Sequence, residues 1–309
     1  MSPAVALIVG ALVVAWVTPD LLERAVGRVR DPVAVLLAWW GSLAAVLLTF
    51  TAGAALLLAP ADSIEDWAEY LAHHCWLAVR HGRLPAQDEV LGVTGMVAVA
   101  ALAALAARSL VVAVRQWRSQ RKSRQAHQDL VTLVGETLTP ERVPVLRLPH
   151  RVPLAYSVGG GRGLLVVSAG VLGLPAAQRA AVLSHERAHL RGRHHLIVAL
   201  AEVLAAAAPW VPLTRRAPRA MRLLVELCAD AAAVRACGAP AVRAALIALN
   251  DAPHPAHALS MAGADVSTRL HRLQAGEPDS RTSARVALPL AAVLAPALVG
   301  VAATILFCA

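Results

Sequence analysis

The run from Ala34 to Ala59, AVLLAWWGSLAAVLLTFTAGAALLLA, holds no charged residue. A helix needs about 20 mostly apolar residues to cross the hydrocarbon core of a bilayer, and this run exceeds that length. Two more runs do the same, at 90–114 and from Val286 toward the C-terminus. A shorter one, Pro3 to Val17, opens the chain and is followed by Pro19. It has no Lys or Arg before Arg24. The basic start of a signal peptide is therefore missing, and an uncleaved helix is expected. Only 16% of the residues are charged and 58% are hydrophobic, against about a quarter charged in a soluble domain. Together these features predict an integral membrane protein with spans near 3–18, 34–59, 90–114 and 286–309.

The charges between the runs predict an orientation. Arg24, Arg28 and Arg30 follow the first run. Asp62, Glu65, Asp66, Glu69, Asp88 and Glu89 lie between the second and third, against Arg80 and Arg83. Arg115, Arg118, Arg121, Lys122 and Arg124 follow the third. Basic loops stay in the cytoplasm. Both termini are then expected outside and the region 115–285 inside, with 286–309 as the last span. The net charge of +9 is read as topology, and no direct nucleic-acid binding is expected. Four cysteines without a CxxC pair argue against a thiolate metal site. They are read as free thiols.

The stretch AVLSHERAHLRGRHH, 181–195, carries the chemistry. Its composition favours a helix, and Pro175 suits a helix start. On a helix, residues four apart share a face, so His185 and His189 can turn ring nitrogens toward one zinc ion. Glu186 lies one residue round, where it can hold a water and take its proton. That geometry is why H-E-x-x-H marks metalloproteases. A catalytic zinc needs a third protein ligand. RAMRLLVELCADAAAVRAC, 219–237, reads as a second helix with Glu226 and Asp230 on one face. Glu226 can ligate, and Asp230 can accept from the outward N–H of a ligand histidine. The bland alternative pairs the two acids with Arg222 or Arg235.

Leu164 to Ser168 reads as a strand. Leu164, Leu165, Val166 and Val167 could hold an extended substrate by edge pairing, or they could form a core strand. Arg191, Arg193, His194 and His195 read as a basic collar reaching lipid phosphate. Alternatively, His194 or His195 adds a metal ligand, or Arg193 stands behind the ligands. The apolar run Leu196 to Leu213 directly follows the histidines and contains Glu202, Pro209 and Pro212. It is expected to lie in the interface or to form a hairpin, because a full crossing would put His185 and Glu226 on opposite sides. GGGRG at 159–163 does not open a helix as a dinucleotide loop would. No nucleophile elbow competes with the zinc site.

These residues resemble the zinc-site segment of BlaR/MecR-type integral membrane metallopeptidases, relatives of HtpX and the CAAX prenyl proteases. The resemblance rests on AYSVGGGRGLLVVSAGVLGLPAAQRAAVLSHERAHLRGRHH, on ELCAD with Glu226 and Asp230, and on TRLHRL at 268–273. It implies His185, His189 and Glu226 as ligands of one zinc ion, Glu186 as general base and Asp230 behind the ligands. It also implies a mainly α polytopic membrane protein with about four transmembrane helices and a cytoplasmic α+β zincin-like metallopeptidase domain. A protein substrate follows, such as a BlaI-type transcriptional repressor. Family sensors carry a penicillin-binding domain after the last span, and none is expected here. Direct β-lactam acylation is therefore not expected. HtpX-type quality control and a non-catalytic membrane scaffold are the competing functions, with Glu186 arguing against the latter.

Overall fold

The computed structural model describes residues 3–29, 31–58, 97, 100–116, 118–119, 136–139, 143–159, 163–250, 259–274, 287–296, 298–299 and 302. The acidic loop from 62 to 89, the basic residues at 121–124, and His73, His74, Cys75 and Cys308 lie outside them. The described part is mainly helical. The chain divides into two compact units. One is Met1–Val112, Val203–Ala217 and Arg281–Ala309; the other is Ala113–Glu202 and Pro218–Ser280.

In the first unit, α1 (Pro3–Arg28) and α2 (Pro32–Leu58) form an antiparallel pair. Their stretches Ala4–Arg28 and Pro32–Leu56 are long and apolar enough to cross a membrane. Small buried residues line the pair, among them Ala4, Ala11 and Ala15 on α1 and Ala38, Ala45 and Ala54 on α2. Small residues let two backbones approach closely. At Gly53 a Cβ would come within 2.9 Å of the Ala4 carbonyl oxygen, so the approach there requires glycine. Asp31 starts α2 by accepting from the Val33 N–H at 3.0 Å, and Pro32 supplies the first helical residue.

One expectation needs correction here. The first apolar run does not stop at Pro19; the helix runs through it to Arg28. Proline removes one intrahelical hydrogen bond, but Pro19 is fully buried against neighbouring side chains, and packing outweighs the lost bond. The third and fourth runs are helical at α3 (100–116) and at Ala287–Pro296. Among the described residues two helices meet the length for a span.

The second unit holds a four-stranded sheet of β1 (Glu136–Thr139), β2 (Val145–Leu148), β3 (Ala155–Val158) and β4 (Leu164–Ser168), in the order β1-β2-β4-β3. β2 and β4 are parallel, and the outer pairs are antiparallel. Every residue of β4 is buried. Leu165 and Val167 pack with Ala181, Val182, Val234 and Val242 in the main core. Leu164 and Val166 point to the opposite face with Leu146 and Val158. That alternation is the period-2 geometry of a strand.

Ser168 ends β4 and caps the short α4 (Ala169–Leu172), accepting from the Val171 N–H. Then come α5 (Ala176–Arg191), α6 (His194–Ala207), α7 (Pro212–Cys237), α8 (Ala239–Asn250) and α9 (Leu259–Gln274), followed by α10 (Ala287–Pro296) in the first unit. Gly238, at φ 81°, separates α7 from α8, a left-handed position where glycine is favoured. Cys228 and Cys237 are partly buried and form no disulfide.

The run Leu196–Leu213 comprises most of α6, a turn at 208–211 and the first two residues of α7. α6 has 14 residues, about 21 Å at about 1.5 Å per residue, which is short of the ~30 Å hydrocarbon core. Within the first unit, the Arg108 side chain donates twice to the Ala206 carbonyl, at 3.1 and 3.3 Å. It thereby satisfies an acceptor that the end of α6 would otherwise leave open. Arg216 on α7 pairs with Asp20 and Glu23 of α1.

Candidate metal centre

α5 crosses the sheet and packs beside β3 and α8. Its buried face, Ala181, Val182 and Ala188, fixes the rotation of the helix. That rotation turns His185, Glu186 and His189 toward a cleft of about 470 Å³. α7 brings Glu226 and Asp230 to the same cleft, and α9 brings Arg269. Ala155 and Ser157 of β3 form another wall, with Val242, Leu246 and Leu249 of α8 opposite.

The ligand geometry fits a metal ion. His185 Nε2 and His189 Nε2 lie 3.0 Å apart. Each is 3.3 Å from a Glu226 carboxylate oxygen. Tetrahedral ligands at about 2.0–2.1 Å from zinc would be separated by roughly 3.3 Å, so the three groups sit as one face of such a site. The outward nitrogens are engaged as well. His185 Nδ1 lies 2.9 Å from Asp230 Oδ1. A carboxylate only accepts, so Nδ1 carries a proton toward Asp230, which leaves Nε2 as the nitrogen that a metal would take.

The acids do not pair with Arg222 or Arg235. Arg222 is 2.5 Å from Glu202. Their cation is Arg269, whose Nε and Nη2 donate to Asp230 at 2.7 and 2.8 Å. Its Nη1 lies 3.1 Å from Glu226. One guanidinium therefore fixes both carboxylates, a bidentate use that suits its planar fork. Burial disfavours ionising Glu226 and Asp230, but His185 and Arg269 outweigh it and hold both well below the usual carboxylate range. Burial also opposes charge on His185, yet the bonds to Asp230 and Glu226 prevail and raise its pKa. His189 moves the other way, lowered by burial to about 4. Burial raises the Glu186 carboxyl, with a hydrogen bond from Ser157 pulling partly against it.

The structure thus gathers His185, Glu186, His189, Glu226 and Asp230 at one cleft. It does not bring Leu164–Val167 to it as an edge. β4 is paired on both sides, to β2 and β3, and its continuous apolar run is that of an interior strand. Among the described residues the sheet edge that lines the cleft is β3. The expected basic collar also changes. His194 is buried, 8% exposed, and stands behind His189 instead of reaching lipid. Sequence reasoning missed Arg269 and Ser157, and it offered His194 as a collar residue or an extra ligand rather than as a partner behind His189. For Arg269 a signal existed: it shares a stripe of α9 with Val266 and Leu273, three residues before and four after it. An arginine on an apolar stripe needs a buried acid.

Residues 118–222 match the family model described as peptidase family M48. The matched segment contains His185, Glu186 and His189 and stops before Glu226, Asp230 and Arg269, which join the site through geometry. No curated protein and no solved structure matches the chain. The match, with a triad of His185, His189 and Glu226 placed to hold a metal ion, supports a metallopeptidase of family M48.

Proposed function

We propose that the chain is a zinc endopeptidase of the cytoplasmic membrane that cuts a protein substrate on the cytoplasmic side. The observation that carries this reading is the converging triangle of His185, His189 and Glu226, with Glu186 alongside it in an open cleft. Bound there, zinc would supply Lewis acidity for the scissile carbonyl and make an attacking water acidic near neutral pH. Glu186 takes the proton of that water and delivers it to the leaving amine. Its raised pKa suits both roles, since a general acid–base works best near the operating pH. Asp230 and Arg269 keep the ligands oriented. An extended peptide laid along β3 would be held by backbone pairing beside Glu186. Elemental analysis of the purified protein should find about one zinc per chain, with a large fall in His185→Ala and Glu226→Ala. Wild-type zinc content in both variants would sink the ligand assignment, and proteolysis that survives chelation would sink the zinc reading.

The orientation follows from the charge pattern around the apolar runs. A cytoplasm-active reporter fused at position 150 is expected to be active and a periplasm-active one silent; the reverse would place the site outside. For the substrate, the BlaR/MecR resemblance favours regulated cleavage of a BlaI-type repressor. HtpX-type cleavage of damaged membrane proteins is the alternative. A neighbouring reading frame encoding a small winged-helix repressor would favour the first.

A further inference from the structure

The two ligand histidines are held from behind by different groups. His185 has the carboxylate of Asp230 at its Nδ1. Nδ1 of His189 instead lies 3.0 Å from Nδ1 of His194. The two rings stand nearly perpendicular, at 84°, with centroids 4.8 Å apart. Nitrogens that close share one proton, and neutral imidazole carries its single proton on one nitrogen only. If that proton belonged to His194, the proton of His189 would sit on Nε2, the atom that faces Glu226 and His185. If it belongs to His189, Nε2 is bare.

The backbone is shaped to place this ring. Arg193, between α5 and α6, adopts φ 48°, a left-handed conformation that few non-glycine residues take. It turns the chain so that the first residue of α6 points back at α5. Gly192 makes room, since a Cβ there would lie 2.4 Å from His194 Nε2. Strained backbone beside a binding site persists where the surroundings hold it in place.

We propose that His194 is a positioning residue of the metal centre. Its Nδ1 accepts from the His189 Nδ1–H and holds His189 in the tautomer and orientation that turn a bare Nε2 toward the metal. The inference rests on the metal-centre reading and adds a residue that touches neither metal nor substrate.

The test uses the full-length chain in detergent. Zinc affinity is read by competition with a chromogenic chelator, and the ligand field by the visible absorption of the cobalt-loaded protein. His194→Asn keeps an acceptor where Nδ1 was; His194→Leu keeps apolar bulk without one. Gly192→Ala keeps the histidine but displaces its ring. Loss of an outer partner costs about 10–100-fold in metal affinity, so His194→Leu and Gly192→Ala should weaken zinc binding by that factor and shift the cobalt bands. His194→Asn should stay near the wild type in both. Equal weakening in the Leu and Asn variants would reveal a packing role and overturn the proposal, as would undiminished affinity in His194→Leu. If His194→Leu does not fold, Gly192→Ala against His194→Asn makes the same comparison. A wild-type chain that takes up no zinc would overturn the metal centre itself, whereas wild-type-like zinc binding in His194→Leu removes only the role of His194.

Discussion

Replacing Arg269 by leucine is expected to destabilise the catalytic domain by about 3–5 kcal/mol, the usual loss when one partner of a buried ion pair is removed. The size follows from what remains. Asp230 has 6% of its side chain exposed and Glu226 31%, and both would lose the guanidinium that, with His185, keeps them ionised. With 14% of its own side chain exposed, Arg269 has little water to replace its partners. Zinc affinity should fall too, because Asp230 orients His185 and Glu226 is a proposed ligand. Arg269→Lys should recover part of the stability, since one ammonium cannot span both carboxylates as the guanidinium does. Thermal unfolding of the detergent-solubilised chain reads the effect. A leucine variant that melts with the wild type would show that the three-way bridge contributes nothing.

Glu186→Gln is expected to keep zinc and fold while losing proteolysis by about 10²-fold or more, the typical contribution of a general base. Glutamine preserves the shape and can still accept from Ser157, but it cannot take a proton. The pH profile gives a sharper check. Burial raises the Glu186 pKa and the Ser157 hydrogen bond lowers it. The acidic limb of kcat/KM, below which Glu186 is protonated and inactive as a base, should therefore lie above the ordinary carboxylate range. Ser157→Ala removes one of the contributions that lower it, beside that of His185, so its acidic limb should move to still higher pH. A limb that stays put, or moves down, would separate the limb from Glu186. Full activity in Glu186→Gln would place the chemistry elsewhere.

The helix period made His185, Glu186 and His189 legible, because two residues four apart on one turn-and-a-bit of helix leave little choice of face. Glu226 and Asp230 were legible for the same reason. Their cation was not, since Arg269 lies 39 residues beyond Asp230 and reaches it only after α9 folds back. The charges nearest in sequence pointed to Arg222, which the structure pairs with Glu202. β4 was legible as a strand but not as an interior one until both of its neighbours were in place. Yet its four consecutive apolar residues, Leu164 to Val167, already favoured burial on both faces. Pro19 misled because a proline is read locally as a stop, whereas the packing around it in the helical pair lets α1 continue. His194 was hidden among arginines, where a collar was the simpler reading; its placement depends on a single residue, Arg193, taking a backbone conformation that sequence does not announce.

The dispersal of the centre along the chain sets an order of events during synthesis. His185, Glu186 and His189 leave the ribosome first, Glu226 and Asp230 later, and Arg269 last. Until Arg269 docks, two carboxylates that will be buried together share only His185 as a cationic partner, and the pocket they would form is less favourable to close. A nascent chain holding only the histidines offers a metal two imidazoles on a solvated helix, a weak and reversible grip. Tight capture therefore coincides with completion of the domain, and the peptidase stays silent until its own fold is finished.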